Sequence, residues 1–220
     1  MKNASASPED IIAIGIDHEG ESAMLWDKES GLPVYPAVVW QDKRTSARAE
    51  ELEAECGDLF RRKTALSPDS YFSATKIEWI LKNIPESRHG IAGNMDAWIL
   101  YKMTGGKEHK TDASTASRTM LYNIKSGAWD EELCDIFGID VRILPEIGDS
   151  ARIFGISDPD AFLGIRAPIG AMLCDQQAAL LGQGCVKKGM LKTTYGTGCF
   201  MLMNTGASPI RSQNGLLTTV

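Results

Sequence analysis

The sequence is poor in histidine, carries no surplus of positive charge and holds no long apolar run. Its three histidines, His18, His89 and His109, stand far apart and match neither metal-ligand spacing nor a nucleophile triad, which argues against zinc and triad chemistry. Its five cysteines, Cys56, Cys134, Cys174, Cys185 and Cys199, form no C-x-x-C pair; odd in number and widely spaced, they read as reduced core residues. With 23 Lys and Arg against 29 Asp and Glu, the net charge is -6, and no basic stripe exists to neutralise a nucleic-acid backbone. That balance leaves room for a small anionic ligand such as ATP, whose phosphates backbone amides and a metal ion can hold locally. No run approaches ~18 apolar residues, and MKNASASPEDIIAIGID lacks an apolar signal core followed by a cleavage site, so no membrane association and a cytoplasmic location are expected. Internal repeats and low-complexity segments are absent too.

What is present is the makeup of a globular protein: 220 residues, 43% hydrophobic and 24% charged, enough for one large domain or two small ones. Residues 11–16, IIAIGI, predict a strand buried on both faces, and residues 21–26 a second strand followed by a turn at 28–31. The loop between them, residues 17–21, would lie at a strand end, where ligands bind in open α/β sheets. Polar, helix-favouring sequence runs over 42–56, and Phe72, Ile77, Ile80, Leu81 and Ile84 keep helical spacing until Pro85. Further helices are expected over 96–103, closed by Gly105 and Gly106, and over 129–137, followed by a loop-rich connection over 150–168. A last helix fits 175–188, whose small residues Ala178, Ala179, Gly182 and Gly184 permit close packing on a sheet. Residues 190–195 and 199–204 then flank Gly196-Thr197-Gly198 as a hairpin.

Three places can carry chemistry. Asp175 stands where an apolar stretch meets a helix; its carboxylate either faces a cleft as a general base or caps the helix. Gly196, Thr197 and Gly198 either let the backbone approach a phosphate, with the Thr197 hydroxyl as a donor, or form a plain hairpin turn. Trp40, Tyr71 and Phe200 either wall a polyol pocket or pack in the core. The acidic cluster at 50–55 reads as a solvated helix face.

Segments across nearly the whole chain resemble glycerol kinases of the FGGY carbohydrate kinase family. They are IIAIGID, PAVVWQDKRT (36–45), YFSATKIEWIL (71–81), DAWILYKMTGG (96–106), TASRTMLYNI (115–124), DQQAALLGQGCVKKGM (175–190) and TYGTGCFMLMNTG (194–206). The resemblance implies an α/β fold: an actin-like ATPase domain with a ribonuclease-H-like core, here a partial N-terminal, substrate-side domain over residues 1–220. It implies ATP and Mg²⁺ as cofactors and direct in-line phosphoryl transfer to a small-molecule polyol. By position, Asp175 resembles the catalytic base. Glu21, Trp40, Tyr71, Gln176 and Phe200 resemble the polyol-binding set, and Thr197, with Gly196 and Gly198, the phosphate loop. No protein ligand to a metal is implied.

Three departures qualify these expectations. Where glycerol kinases carry Asn-Gln-Arg-Glu, this chain has His18-Glu19-Gly20-Glu21. The carboxylate thus loses its cationic companion, and the space opened by Gly20 suggests a larger or different polyol, or much weaker glycerol binding. The connection 158–168 lacks the Gly-Gly-x-Gly-Gly-x-Arg loop through which some relatives bind a sugar-bisphosphate inhibitor. Finally, neither the opening Asp-x-Gly-Thr-Thr-Ser segment nor the second domain of the family is seen, which predicts a sheet lacking its first strands, an open edge prone to association, and little activity in isolation. Three functions follow: a glycerol-kinase-like enzyme whose complementary segments lie elsewhere, a kinase for a pentulose or tetritol, or a non-catalytic remnant that binds a polyol or another chain.

Overall fold

A computed structural model describes residues 6–220, so the first five residues of the N-terminal segment weighed for a signal lie outside it. The first strand, β1 (Ile14–His18), begins three residues after the apolar run does. Ile16 and His18 are buried while Gly15 and Asp17 are exposed, so the strand alternates and is not covered on both faces as its composition suggested. Next, β2 (Ala23–Asp27) is buried along all but its last residue, and the Asp27 carboxylate accepts the Ser30 amide at 2.7 Å to close the expected turn. Helix α1 (Ser46–Thr64) starts later than the polar stretch that predicted it and runs past its end, across a kink at Cys56 (φ of -147°), because Phe60 and Thr64 give its later turns an inward face. Helix α2 (Ser73–Asn83) buries Ile77 and Ile80 and stops before Pro85 as expected. Strand β3 (Gly90–Asn94) leads directly into α3 (Met95–Met103), and Gly105 and Gly106 follow with φ of 63° and 81°, the left-handed backbone that a glycine pair permits after a helix.

In the second half, β4 (Lys110–Asp112) runs into α4 (Ala113–Ala116), whose first amides are accepted by the Asp112 side chain. Strands β5 (Tyr122–Asn123) and β6 (Ala128–Trp129) pair, and α5 (Glu131–Phe137) follows. Trp129 therefore belongs to a strand and not to the helix expected from 129 onward. The helix starts later because Asp130 is its cap, taking the Leu133 amide at 3.2 Å. The connection over 150–168 contains the short β8 (Gly155–Ile156), which comes after β7 (Glu146–Gly148).

Strand β9 (Pro168–Cys174) passes without a break into α6 (Asp175–Gly182). That helix ends six residues before the expected 188, where Gly184 takes φ of 73° and the Cys185 amide reaches back to the Leu180 carbonyl at 3.0 Å. The helix packs half-buried against β9 and the last two strands, while Gly182 and Gly184 have open space beside them and are not required by close approach. Strands β10 (Leu191–Tyr195) and β11 (Cys199–Met203) form the expected antiparallel hairpin, with Tyr195 opposite Cys199 across Gly196-Thr197-Gly198.

The strand order β1-β9-β8 places β1 parallel to β9 at a sheet edge, so that the C-terminal ends of both strands emerge together at His18 and Cys174. Leu25, Leu52, Phe60, Ile77, Ile80 and Leu121 belong to one core cluster that ties α1 and α2 to β2. Ile16, Leu100, Phe154, Ile169 and Met172 belong to a second, beneath β1 and β9. Each of these large side chains contributes about 1.5–3 kcal/mol by leaving water. All five cysteines are free, but the expectation that all lie in the core fails for Cys199, exposed on the outward face of the hairpin, while Cys56 is half-buried against the larger core cluster.

Candidate active site

Beyond the paired ends of β1 and β9 lies a cleft of about 250 Å³. Every site residue anticipated from the sequence lines it: Asp175 and Gln176 from the start of α6, Glu21 from the turn after β1, Trp40 and Tyr71 from connecting loops, and Gly196, Thr197, Gly198 and Phe200 from the hairpin. Glu19 and Thr194 complete the wall.

Asp175 is the first residue of α6, and Cys174 occupies the cap position ahead of it. The Asp175 carboxylate takes no hydrogen bond from a helix amide among the described residues. Instead the Gln176 side-chain amide donates to Oδ2 at 2.7 Å, and the Cys174 thiol lies 3.6 Å from Oδ1. A carboxylate held beside a cleft by a single amide keeps acceptor capacity for a ligand hydroxyl. Asp17, partly desolvated at the strand end although its surface is largely open, has its pKa raised by that desolvation and by the neighbouring Asp175 charge. Behind Gln176, Lys192 is buried on β10; its ammonium donates to Gln176 Oε1 at 2.5 Å and to Thr194 Oγ1 at 2.7 Å. Burial holds this amine below its ordinary pKa, against the opposing pull of Asp175.

Glu21, only 4% exposed, meets the Arg118 guanidinium, whose Nε donates to Oε1 at 2.7 Å. This overturns the expectation that the carboxylate has no cationic companion: the partner arrives from the segment after α4. The expectation of added space fails as well. A Cβ built on Gly20 would lie 2.4 Å from Cys174 Sγ and 3.2 Å from Arg118 Cγ, so those two side chains already fill the volume. Burial opposes the charge of Arg118, but the Glu21 carboxylate outweighs it and keeps the guanidinium protonated. Its plane lies over the rings of Phe72 and Tyr71, 5.1 and 5.8 Å from the centroids.

The aromatic wall is a chain of edge-to-face contacts, Trp40 to Tyr71 at 5.7 Å and Trp40 to Phe200 at 6.3 Å. The Tyr71 phenol is held well above its ordinary pKa by burial and by Glu21, and so stays a hydroxyl able to donate. Lys76, fully buried on α2, anchors this segment by donating to the carbonyls of Tyr71 at 2.5 Å and Phe72 at 2.8 Å. At the hairpin turn the Gly196 amide donates to the Gly198 carbonyl at 2.9 Å, and a Cβ on Gly198 would meet the Phe200 ring at 2.6 Å. Gly198 is thus required by close approach, whereas Gly196 has open space beside it. The turn thus presents the Thr197 residue to the cleft between two glycines, one of them already engaged through its amide. Among the described residues no group of three or more His, Cys, Asp or Glu side chains is placed to hold a metal, so these residues alone make no cage for Mg²⁺.

Glu19, Arg118, Lys192 and Thr194 escaped the reading of the sequence as site residues. Arg118 stood within the quoted TASRTMLYNI run, the one signal that could have found it.

Fold and cleft together define an α/β domain in which an acid at a helix start and a glycine hairpin line one cleft. The chain belongs to the FGGY family of carbohydrate kinases: residues 1–182 match that family's N-terminal domain. It is 48% identical over 227 aligned positions to a glycerol kinase from Carboxydothermus hydrogenoformans, covering 100% of this chain and 45% of that protein. With a glycerol kinase from Chromobacterium violaceum the identity is 50%, over 96% of this chain and 43% of the relative. The chain therefore spans somewhat less than half the length of the curated relatives it matches. The crystal structure of Plasmodium falciparum glycerol kinase with ADP superposes with a TM-score of 0.90 at 37% identity, over 96% of this chain and 43% of that one. A xylulose kinase from Rhodospirillum rubrum shares the fold, with a TM-score of 0.80 at 19% identity. No helix among the described residues is long and apolar enough to cross a membrane.

Proposed function

We propose that this chain is the substrate-side domain of an ATP-dependent kinase for glycerol or a closely related polyol. The observation that carries this reading is the convergence of Asp175, Glu21, the aromatic wall and the Gly196-Thr197-Gly198 turn on one cleft. In this role Asp175 accepts the proton of the attacking hydroxyl, Glu21 and Gln176 orient the polyol through its hydroxyls, and Trp40 and Phe200 cover its carbon atoms. Thr197 and its neighbouring backbone hold a phosphate of ATP, which supplies the transferred group. The crowding at Gly20 removes the reason for enlarging the substrate on that side and favours glycerol over a bulkier sugar.

Because the chain spans less than half of its relatives, turnover is a property of the whole kinase. The isolated chain is expected to bind polyol and to transfer little phosphate. The outer face of the hairpin, with Leu191, Tyr195, Met201 and Met203 exposed, is where a complementary kinase segment or a second copy would pack.

The test is calorimetric titration of the chain with glycerol, and a coupled ADP-release assay after joining it to the complementary half of a relative. Saturable glycerol binding, with turnover abolished in Asp175→Asn while binding persists, is the expected result. Absence of glycerol binding would overturn the reading in favour of a non-catalytic remnant, and a preference for a pentulose or tetritol would move it to another kinase of the family.

A further inference from the structure

Glu21 is buried, and a carboxyl group in that position needs a polar partner to hold it in one orientation. Its backbone is already pinned: Asn94 Nδ2 donates to the carbonyls of Gly20 at 2.7 Å and Ser22 at 3.1 Å, and the Ser73 hydroxyl donates to the Glu21 carbonyl at 3.3 Å. What orients the side chain is Arg118 Nε on Oε1. The Tyr71 phenol lies close to the same carboxyl group, and Glu21 lines the cleft while Arg118 stays behind it.

We propose that Arg118 is the positioning residue that sets hydroxyl recognition in this cleft: by occupying Oε1 it turns Oε2 into a fixed acceptor that selects ligand hydroxyls able to donate. The inference rests on the polyol-binding reading above. Its support is independent of that reading and lies in the packing. The guanidinium lies over the Phe72 and Tyr71 rings, and its Cγ fills the space over Gly20, so it cannot swing into the cleft to touch the ligand itself. Recognition is consequently made by an acceptor. An alcohol capped as a methyl ether at the hydroxyl facing Glu21 loses its donor and its hold.

The experiment compares glycerol binding, by calorimetry, in the wild-type chain, Arg118→Ala and Arg118→Lys, with and without guanidinium at low millimolar concentration. A charge-assisted contact of this kind predicts affinity about tenfold or more weaker in Arg118→Ala. Guanidinium should restore it, methylammonium should not, and Arg118→Lys should recover only part. Unchanged affinity in Arg118→Ala, or a loss that guanidinium leaves unrestored, overturns the proposal. Should Arg118→Ala fail to fold, Arg118→Met, which keeps the stacked stem, is compared in the wild-type and Glu21→Gln backgrounds. A loss confined to the ionisable Glu21 background supports the proposal, and equal losses in both overturn it. A wild-type chain that binds no glycerol fails the kinase reading and this inference together, whereas binding indifferent to Arg118 fails the inference alone.

Discussion

The Lys192 ammonium decides which way the Gln176 amide faces. A lysine can only donate, so Gln176 must turn Oε1 toward it at 2.5 Å, which leaves Nε2 to donate to Asp175 Oδ2 at 2.7 Å. Three side chains from β10 and α6 thus form a relay that fixes the Asp175 carboxylate.

Replacing Lys192 with methionine keeps the buried stem and removes the donor. The Gln176 amide is then free to flip, and in one orientation it presents oxygen to oxygen at Asp175. Exchange of the Gln176 side-chain amide protons should accelerate by about tenfold or more, read by nitrogen-edited NMR. An unchanged rate would mean that Asp175 orders the amide without help.

Gly20 is held at its size by two neighbours. Gly20→Ala drives a methyl group to 2.4 Å from Cys174 Sγ, and the resulting overpacking should lower stability by about 1–3 kcal/mol in urea denaturation. Adding Cys174→Ala to that variant removes the closest obstacle and should return part of the loss. An additive second loss would refute the steric account.

His109 makes the chain acid-sensitive. Its ring lies edge-on to Trp26 at 5.3 Å and donates to the Ala92 carbonyl at 2.9 Å, and burial pushes its pKa from 6.5 down to about 4. The unfolded chain binds this proton below 6.5 while the folded chain refuses it until about 4, so stability falls as pH drops through that window, by on the order of 3 kcal/mol. Chemical denaturation of wild type and His109→Gln between those pH values should show the slope in the first and a shallower one in the second.

Lys76 acts at the alkaline side. Burial pushes its amine from 10.5 down to about 7, so above pH 7 the folded chain sheds a proton that the unfolded chain keeps up to about 10.5. The unfolded state binds more protons throughout that interval, and the contribution of Lys76 to stability rises with pH across it. In Lys76→Met that rise should vanish, and unfolding midpoints measured across the interval would reveal it.

Much of the fold was legible because it is local. The helical spacing before Pro85, the glycine pair after Met103 and the Gly196-Thr197-Gly198 turn each act within a few residues, and each element appeared where its signal lay. Where burial or capping by a distant or individual side chain intervened, boundaries moved: Asp130 delayed α5, Gly184 cut short α6, and the inward residues of α1 prolonged it. The lining of the cleft was likewise recoverable, since its residues sit in short runs with a recognisable pattern.

By itself the sequence determined the α/β elements, the family and the residues that face the cleft, because periodicity, turn chemistry and motif order are properties of neighbouring positions. Tertiary structure decided how those residues are charged and held. Glu21 and Arg118 are 97 positions apart, and Gln176 and Lys192 are 16 apart on different elements. The packing of the segment after α4 against the turn after β1, and the folding back of the hairpin onto α6, bring such groups within hydrogen-bond range, where burial makes their mutual dependence strong.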